Sequence, residues 1–342
     1  MTAPTSTTPT TTRFTSVLGR LLPARPDGWL RATAWASLLA NALLVLTGGL
    51  VRLTGSGLGC PTWPRCTDDS WTSTREMGLH GAIEFGNRLL TFLLVAIAVL
   101  TFLAVWRSRR THPGMLSLAV ALAAGIVVQA VVGGITVRTG LNPWVVGIHF
   151  MLSAVMIAVA AVLVGRARRA SLPQVALEQR AGQVHGRSAG RLRGTAVAVA
   201  VLAFVVVYVG TLVTGTGPHA GDSGQVARHT FDAYVVTRFH SVPAYLLLAV
   251  TVLGLVLAAR QGWPSPVRRS FALLGAVLIV QGLIGYYQFF TGLPVAAVAL
   301  HLVGAAVLVA VVGTVLDRAY AVSAPAGDGV GDDARTGATT AV

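Results

Sequence analysis

The chain has 342 residues, of which 54% are hydrophobic and only 11% charged, with a formal net charge of +14. A soluble domain is roughly a quarter charged, so this composition excludes a soluble enzyme, a disordered chain and a small disulfide scaffold. It indicates a protein dissolved mostly in lipid.

All 26 basic residues are Arg, and they fall in short clusters between apolar runs. That pattern reads as a topology signal, with no nucleic-acid partner. Residues 1–32 open on a Thr/Pro-rich stretch and are expected to be a disordered cytoplasmic segment. Eight apolar runs follow, near 33–53, 82–106, 115–137, 144–164, 195–215, 233–258, 271–290 and 295–316. Each is long enough for a bilayer core of about 30 Å at about 1.5 Å per residue. The first starts late and is followed by seven more, so none is expected to be a cleavable signal. Most of the Arg residues lie before the first run, after the last, and near 107–110, 166–193 and 260–269. The positive-inside rule therefore places both termini in the cytoplasm of a multi-pass protein of the cell membrane.

The two halves resemble each other. Residues 127–149 and 279–301 share eight of 23 positions at an offset of 152, including Gln129/Gln281, the Thr139-Gly140-Leu141/Thr291-Gly292-Leu293 run and His149/His301. LTGSG at 53–57 likewise matches VTGTG at 213–217. The expected fold class is an all-α membrane protein, with eight transmembrane helices in two pseudo-two-fold related four-helix bundles. The N-terminal bundle spans 33–164, with a loop at 54–80 on the outer side. A cytoplasmic linker, 165–194, leads to the C-terminal bundle, 195–316, and a disordered cytoplasmic tail, 317–342, follows.

Ionisable groups inside spans are costly, so each is a functional candidate. His112, His185, His219 and His229 fall in loops and read as solvated. His149, His240 and His301 lie five to seven residues inside their spans, roughly 8–10 Å below the interface. Each could be a core histidine hydrogen-bonded between helices. His240 and His301, however, lie at matching depth in one bundle, and two facing imidazoles can supply both axial bonds to a haem iron. In the N-terminal half the counterpart of His301 is His149, but that of His240 is Asn87, a poor haem ligand. A carboxylate, Glu84, stands three residues before Asn87. His80, Glu84, Asn87 and Arg88 share one helix face. Glu84 reads either as a salt-bridge partner of Arg88 or as a buried acid beside a bound ligand. The asymmetry suggests one bundle with a closed, doubly ligated haem and one with a group ligated on a single side.

The stretch GGLVRLTGSGLGCPTWPRC (48–66), EFGNRLL (84–90) and the half-repeats ending in His149 and His301 closely resemble the bacterial-type haem A synthase family, over about residues 33–316. The resemblance implies an oxidoreductase of cytochrome oxidase biogenesis. It would convert the C8 methyl of haem O to the formyl group of haem A and carry haem b as cofactor. It assigns His240 and His301 to haem b iron, and Glu84 and His149 to the substrate haem O half. The family usually has a histidine where Asn87 stands, so His149 is left as the clear ligand there. His80, one turn before Glu84, is the alternative ligand that could compensate, although two helical turns, about 10 Å, separate it from Asn87 and disfavour direct replacement. Arg52, Arg88 and Arg238, at helix ends, would pair with haem propionates or snorkel to headgroups. Cys60 and Cys66 match a family cysteine pair. Their place on the oxidising face fits a disulfide, either a staple or a redox-active pair. Implied partners are haem O, the lipid bilayer, haem O synthase and terminal oxidase assembly factors. The competing readings are a membrane b-type cytochrome that only transfers electrons, and a transporter of haem or another solute.

Overall fold

The computed structural model describes residues 28–106, 108–110, 112–172, 183–222, 224 and 226–323. Residues 1–27, 173–182 and 324–342 of the expected N-terminal segment, linker and tail lie outside these, as do Arg107, Arg180 and Arg335.

Among the described residues, eight helices are long and apolar enough to cross a membrane. They are α1 (Gly28–Leu53), α2 (Gly78–Trp106), α3 (Pro113–Arg138), α4 (Pro143–Ala170), α5 (Gly186–Thr216), α6 (Ala233–Arg260), α7 (Ser265–Phe290) and α8 (Val295–Ser323). A helix satisfies its own backbone polar groups, which hydrocarbon demands. Large side chains such as Phe92, Phe239, Leu283 and Phe290 accordingly face outward. Several helices run past the apolar runs that mark them. α5 begins at Gly186 and α8 continues to Ser323, so part of the expected linker and tail is helical. Those extensions carry polar residues with partners. Asp317 accepts two bonds from the Arg169 guanidinium, at 2.6 and 2.7 Å, and Arg193 donates to Ser323 Oγ at 2.7 Å.

Sequence sets the helix ends. Asn142 Oδ1 accepts Trp144 N–H at 3.0 Å at the start of α4, and Asp232 Oδ1 accepts Val235 N–H at 2.8 Å at the start of α6. The repeated Thr-Gly-Leu run ends α3 and α7 in one way. Gly140 and Leu141 take φ of 58° and 59°, Gly292 and Leu293 74° and 61°. Leu141 N–H then bonds Thr136 O at 2.8 Å, and Leu293 N–H bonds Gln288 O at 2.9 Å. Left-handed backbone is costly for a branched side chain, so its recurrence at both positions gives the sequence repeat a structural meaning.

The packing order repeats as well. In the N-terminal half α1 packs on α2, α2 on α3, α3 on α4 and α4 on α1; in the C-terminal half α5 to α8 close a ring in the same order. The halves meet where α8 packs on α4 and α1, and where α4 packs on α5. Each half has its own apolar core. At the cysteine-loop end the halves also interlock through loops. Ser56 and Asp222 form an antiparallel bridge, with Gly57 N–H on Gly221 O at 2.7 Å.

Candidate functional site

In the C-terminal half, His240 on α6 and His301 on α8 face each other. Their ring centroids are 6.4 Å apart and their planes cross at 72°. Each ring lies against a glycine of a neighbouring helix. A Cβ on Gly210 (α5) would stand 3.1 Å from His240 Cε1, and one on Gly285 (α7) 3.7 Å from His301 Cε1. Gln281 Nε2 donates to His301 O at 3.0 Å and so fixes α7 to α8 at the level of the ring.

The N-terminal half repeats these parts with one exchange. His149 on α4 lies against Gly133 on α3, where a Cβ would be 3.2 Å from Cε1. Gln129 Nε2 donates to His149 O at 3.1 Å. At the position equivalent to His240, Asn87 on α2 faces Gly48 on α1, whose Cβ would lie 3.9 Å from Asn87 Nδ2. Glycine gaps thus stand beside all three histidines and beside the asparagine.

Glu84, one turn before Asn87, is 5% exposed and bound on both oxygens. Oε2 accepts Cys60 N–H at 2.6 Å, and Oε1 accepts Arg88 Nη2 and Nε at 2.6 and 3.2 Å. The ion pair weighed from the sequence is therefore formed, and the loop backbone adds a contact that spacing could not reveal. Arg88 also donates to the carbonyls of Cys60 (2.9 Å), Thr62 (3.0 Å) and Arg65 (3.2 Å). Cys60 and Cys66 are joined by a disulfide and are wholly buried. Gly59 presses on α2, where a Cβ would meet His80 O at 2.2 Å. Trp63 covers the gap at Gly134, whose Cβ would lie 2.3 Å from the indole, and Arg138 donates to Trp63 O at 3.1 Å. Since Gly133 faces His149 and Gly134 faces Trp63, the loop reaches the helix turn beside His149. Trp63, Gly134 and Cys60 N–H were not singled out as site residues in the sequence. Only the position of Trp63 between the two cysteines hints at its place.

The remaining candidates are placed differently. Arg52 donates to His219 O (2.7 Å) and Thr214 O (2.9 Å) and ties α1 to the other half. Arg238 is exposed and bonds the Tyr234 hydroxyl. His80 is also exposed, with Nδ1 2.8 Å from Ser56 Oγ. His219 Nε2 lies 3.0 Å from Leu293 O. His229, expected to be solvated, is instead buried, with its ring centroid 4.4 Å from Trp144 and 5.2 Å from Phe231. A loop histidine escapes water here because the loop folds back onto Gly215, whose carbonyl accepts His229 N–H at 3.0 Å.

Buried Nδ1 atoms of His149 and His301, and Oδ1 of Asn87, have no hydrogen-bond partner among the described residues. Facing imidazoles about two metal–nitrogen bonds and two ring radii apart suit an iron held axially. The residues of the C-terminal half therefore fit a haem with two axial histidines, and those of the N-terminal half one with a single histidine.

Fold and site together define a polytopic α-helical membrane protein with histidines set between the helices of two four-helix units. A model of the cytochrome oxidase assembly protein family matches residues 31–312, and the chain belongs to that family. Curated relatives carry the name haem A synthase. One from Methylobacterium radiotolerans is 28% identical, over 88% of this chain and 94% of the relative. One from Bradyrhizobium sp. is 26% identical, over 82% and 88%. One from Lysinibacillus sphaericus is 31% identical, over 55% and 59%.

Proposed function

We propose that this chain is a haem A synthase, oxidising the C8 methyl group of haem O to the formyl group of haem A for terminal oxidase biogenesis. The observation that carries this reading is the asymmetry of the two halves. One pairs His240 with His301. The other has His149 with Asn87, not a histidine, at the position equivalent to His240, and adds a buried carboxylate, Glu84, bonded to the cysteine loop.

His240 and His301 would hold haem b, which would supply one-electron transfer when bound. His149 orients the substrate haem in the N-terminal half. Trp63 and the disulfide loop cover that half and keep water from it. Glu84 is held by Arg88 and Cys60 at a fixed height, where it accepts a proton or stabilises positive charge as the methyl carbon is oxidised. Arg52 is engaged by the carbonyls of Thr214 and His219, and Arg88 by Glu84 and loop carbonyls, which leaves Arg238, of these three, for a propionate. The buried disulfide suits a staple that holds the Glu84 contact. The Arg clusters support a cysteine-loop end outside the cell membrane and both termini in the cytoplasm.

The test is to co-express the chain with a haem O producer, extract the haems and resolve haems B, O and A. Haem A appears only if the chain converts haem O. Haem B alone with unchanged haem O identifies an electron-transfer cytochrome instead.

A further inference from the structure

The halves differ most at one pair of positions. His240 and Asn87 stand at equivalent places, each against a glycine of the preceding helix, Gly210 or Gly48. Their partners His301 and His149 are alike, down to the glutamine that bonds each backbone carbonyl. What has changed is the residue at the position of His240, and the one three residues before it, where Glu84 stands in place of Thr237. An imidazole nitrogen is a good ligand for iron, whereas a neutral amide oxygen suits hard cations. A carboxamide also ends roughly one bond length short of an imidazole Nε2. Asn87 Oδ1 is buried with no hydrogen-bond partner among the described residues. An unsatisfied buried acceptor is costly, so its persistence beside a site points to a ligand that completes it.

We propose that Asn87 forms the hydrogen-bonding wall of an open axial position, which takes a small exogenous ligand the size of water or a diatomic molecule. His149 is then the single protein ligand in that half. The amide can donate through Nδ2 or accept through Oδ1, so it serves a bound molecule of either polarity. This inference rests on the reading of the N-terminal half as a haem site.

The experiment uses the whole protein, purified from cells that supply both haems B and O, with carbon monoxide as the probe. The expected result is two haems per chain. One is low-spin and inert to carbon monoxide; the other is high-spin and binds one carbon monoxide when reduced. Asn87→His should turn the second haem low-spin and abolish carbon monoxide binding, while the His240/His301 signal stays. Asn87→Leu should keep the high-spin haem but shift the carbon–oxygen stretching frequency and weaken binding about three- to tenfold, the loss of one hydrogen bond. A second haem that is low-spin and inert in the wild type overturns the open position. An Asn87→Leu variant identical to wild type overturns the role of the amide. A single haem per chain, unaffected by His149→Ala, overturns the reading on which both rest.

Discussion

The carboxylate of Glu84 accepts the backbone N–H of Cys60, 24 residues earlier, at 2.6 Å. This bond ties the candidate acid to the disulfide loop. Glu84→Gln can keep it, because the carboxamide oxygen still accepts, but the charge that pairs with Arg88 is lost. The expected outcome is an unchanged low-spin haem b spectrum with no haem A formed from haem O. Wild-type conversion by that variant would remove Glu84 from the reaction.

Arg88 is the other half of this arrangement. Its guanidinium binds Glu84 and three carbonyls of the loop. Arg88→Ala leaves Glu84 buried without its counter-charge. Losing one partner of a fully buried pair costs about 3–5 kcal/mol. The Arg88 side chain is 22% exposed, so about 2 kcal/mol of loop attachment is expected to be lost. After brief reduction, Cys60 and Cys66 should be alkylated faster in this variant than in the wild type. Equal rates would show that the arginine does not hold the loop.

The sequence made the spans, the repeat and the histidine pair readable, because apolar runs, identities at a fixed offset and rare ionisable residues are local signals. It also singled out Thr-Gly-Leu as informative, without showing that Leu141 and Leu293 take left-handed backbone. Helix ends beyond the bilayer were missed at Gly186 and Ser323, since a polar helix continuing an apolar one carries no apolar run. Contacts such as Trp63 on Gly134 or Arg52 on His219 join segments with no shared periodicity, and only the folded chain brings them together.

Gly134 shows what such a contact requires. A Cβ there would lie 2.3 Å from the Trp63 ring. Gly134→Val should expel the indole and loosen the loop, with an overpacking cost of about 1–3 kcal/mol. Tryptophan emission should shift to longer wavelength and haem b binding should persist. Gly282, which has nothing near its would-be Cβ, supplies the control: Gly282→Ala should leave the emission unchanged.

At the opposite end, Asp317 joins the halves by its bidentate bond to Arg169. Asp317→Asn keeps the shape but leaves the guanidinium facing a neutral amide, at a cost of about 2–3 kcal/mol. The melting temperature in detergent should fall, while the ratio of the two haems stays as in the wild type. No fall would show that the apolar seam of α4 and α8 suffices.

His229 gives the fold a pH dependence whose sign can be stated. Burial pushes its imidazole below the ordinary value of 6.5, and Arg52 pushes it the same way. No hydrogen bond to Nε2 among the described residues opposes this. The folded chain therefore takes up this proton at lower pH than the unfolded chain, whose histidine titrates near about 6.5. Between those values the unfolded state binds more protons, so stability rises with pH. The contribution of His229 is fully present above its unfolded value and is lost progressively as pH falls below it. His229→Phe keeps a ring between Trp144 and Phe231 but removes the titrating group. Melting temperatures measured from pH 8 to 5 should fall less steeply in this variant than in the wild type. Parallel curves would place the acid sensitivity elsewhere.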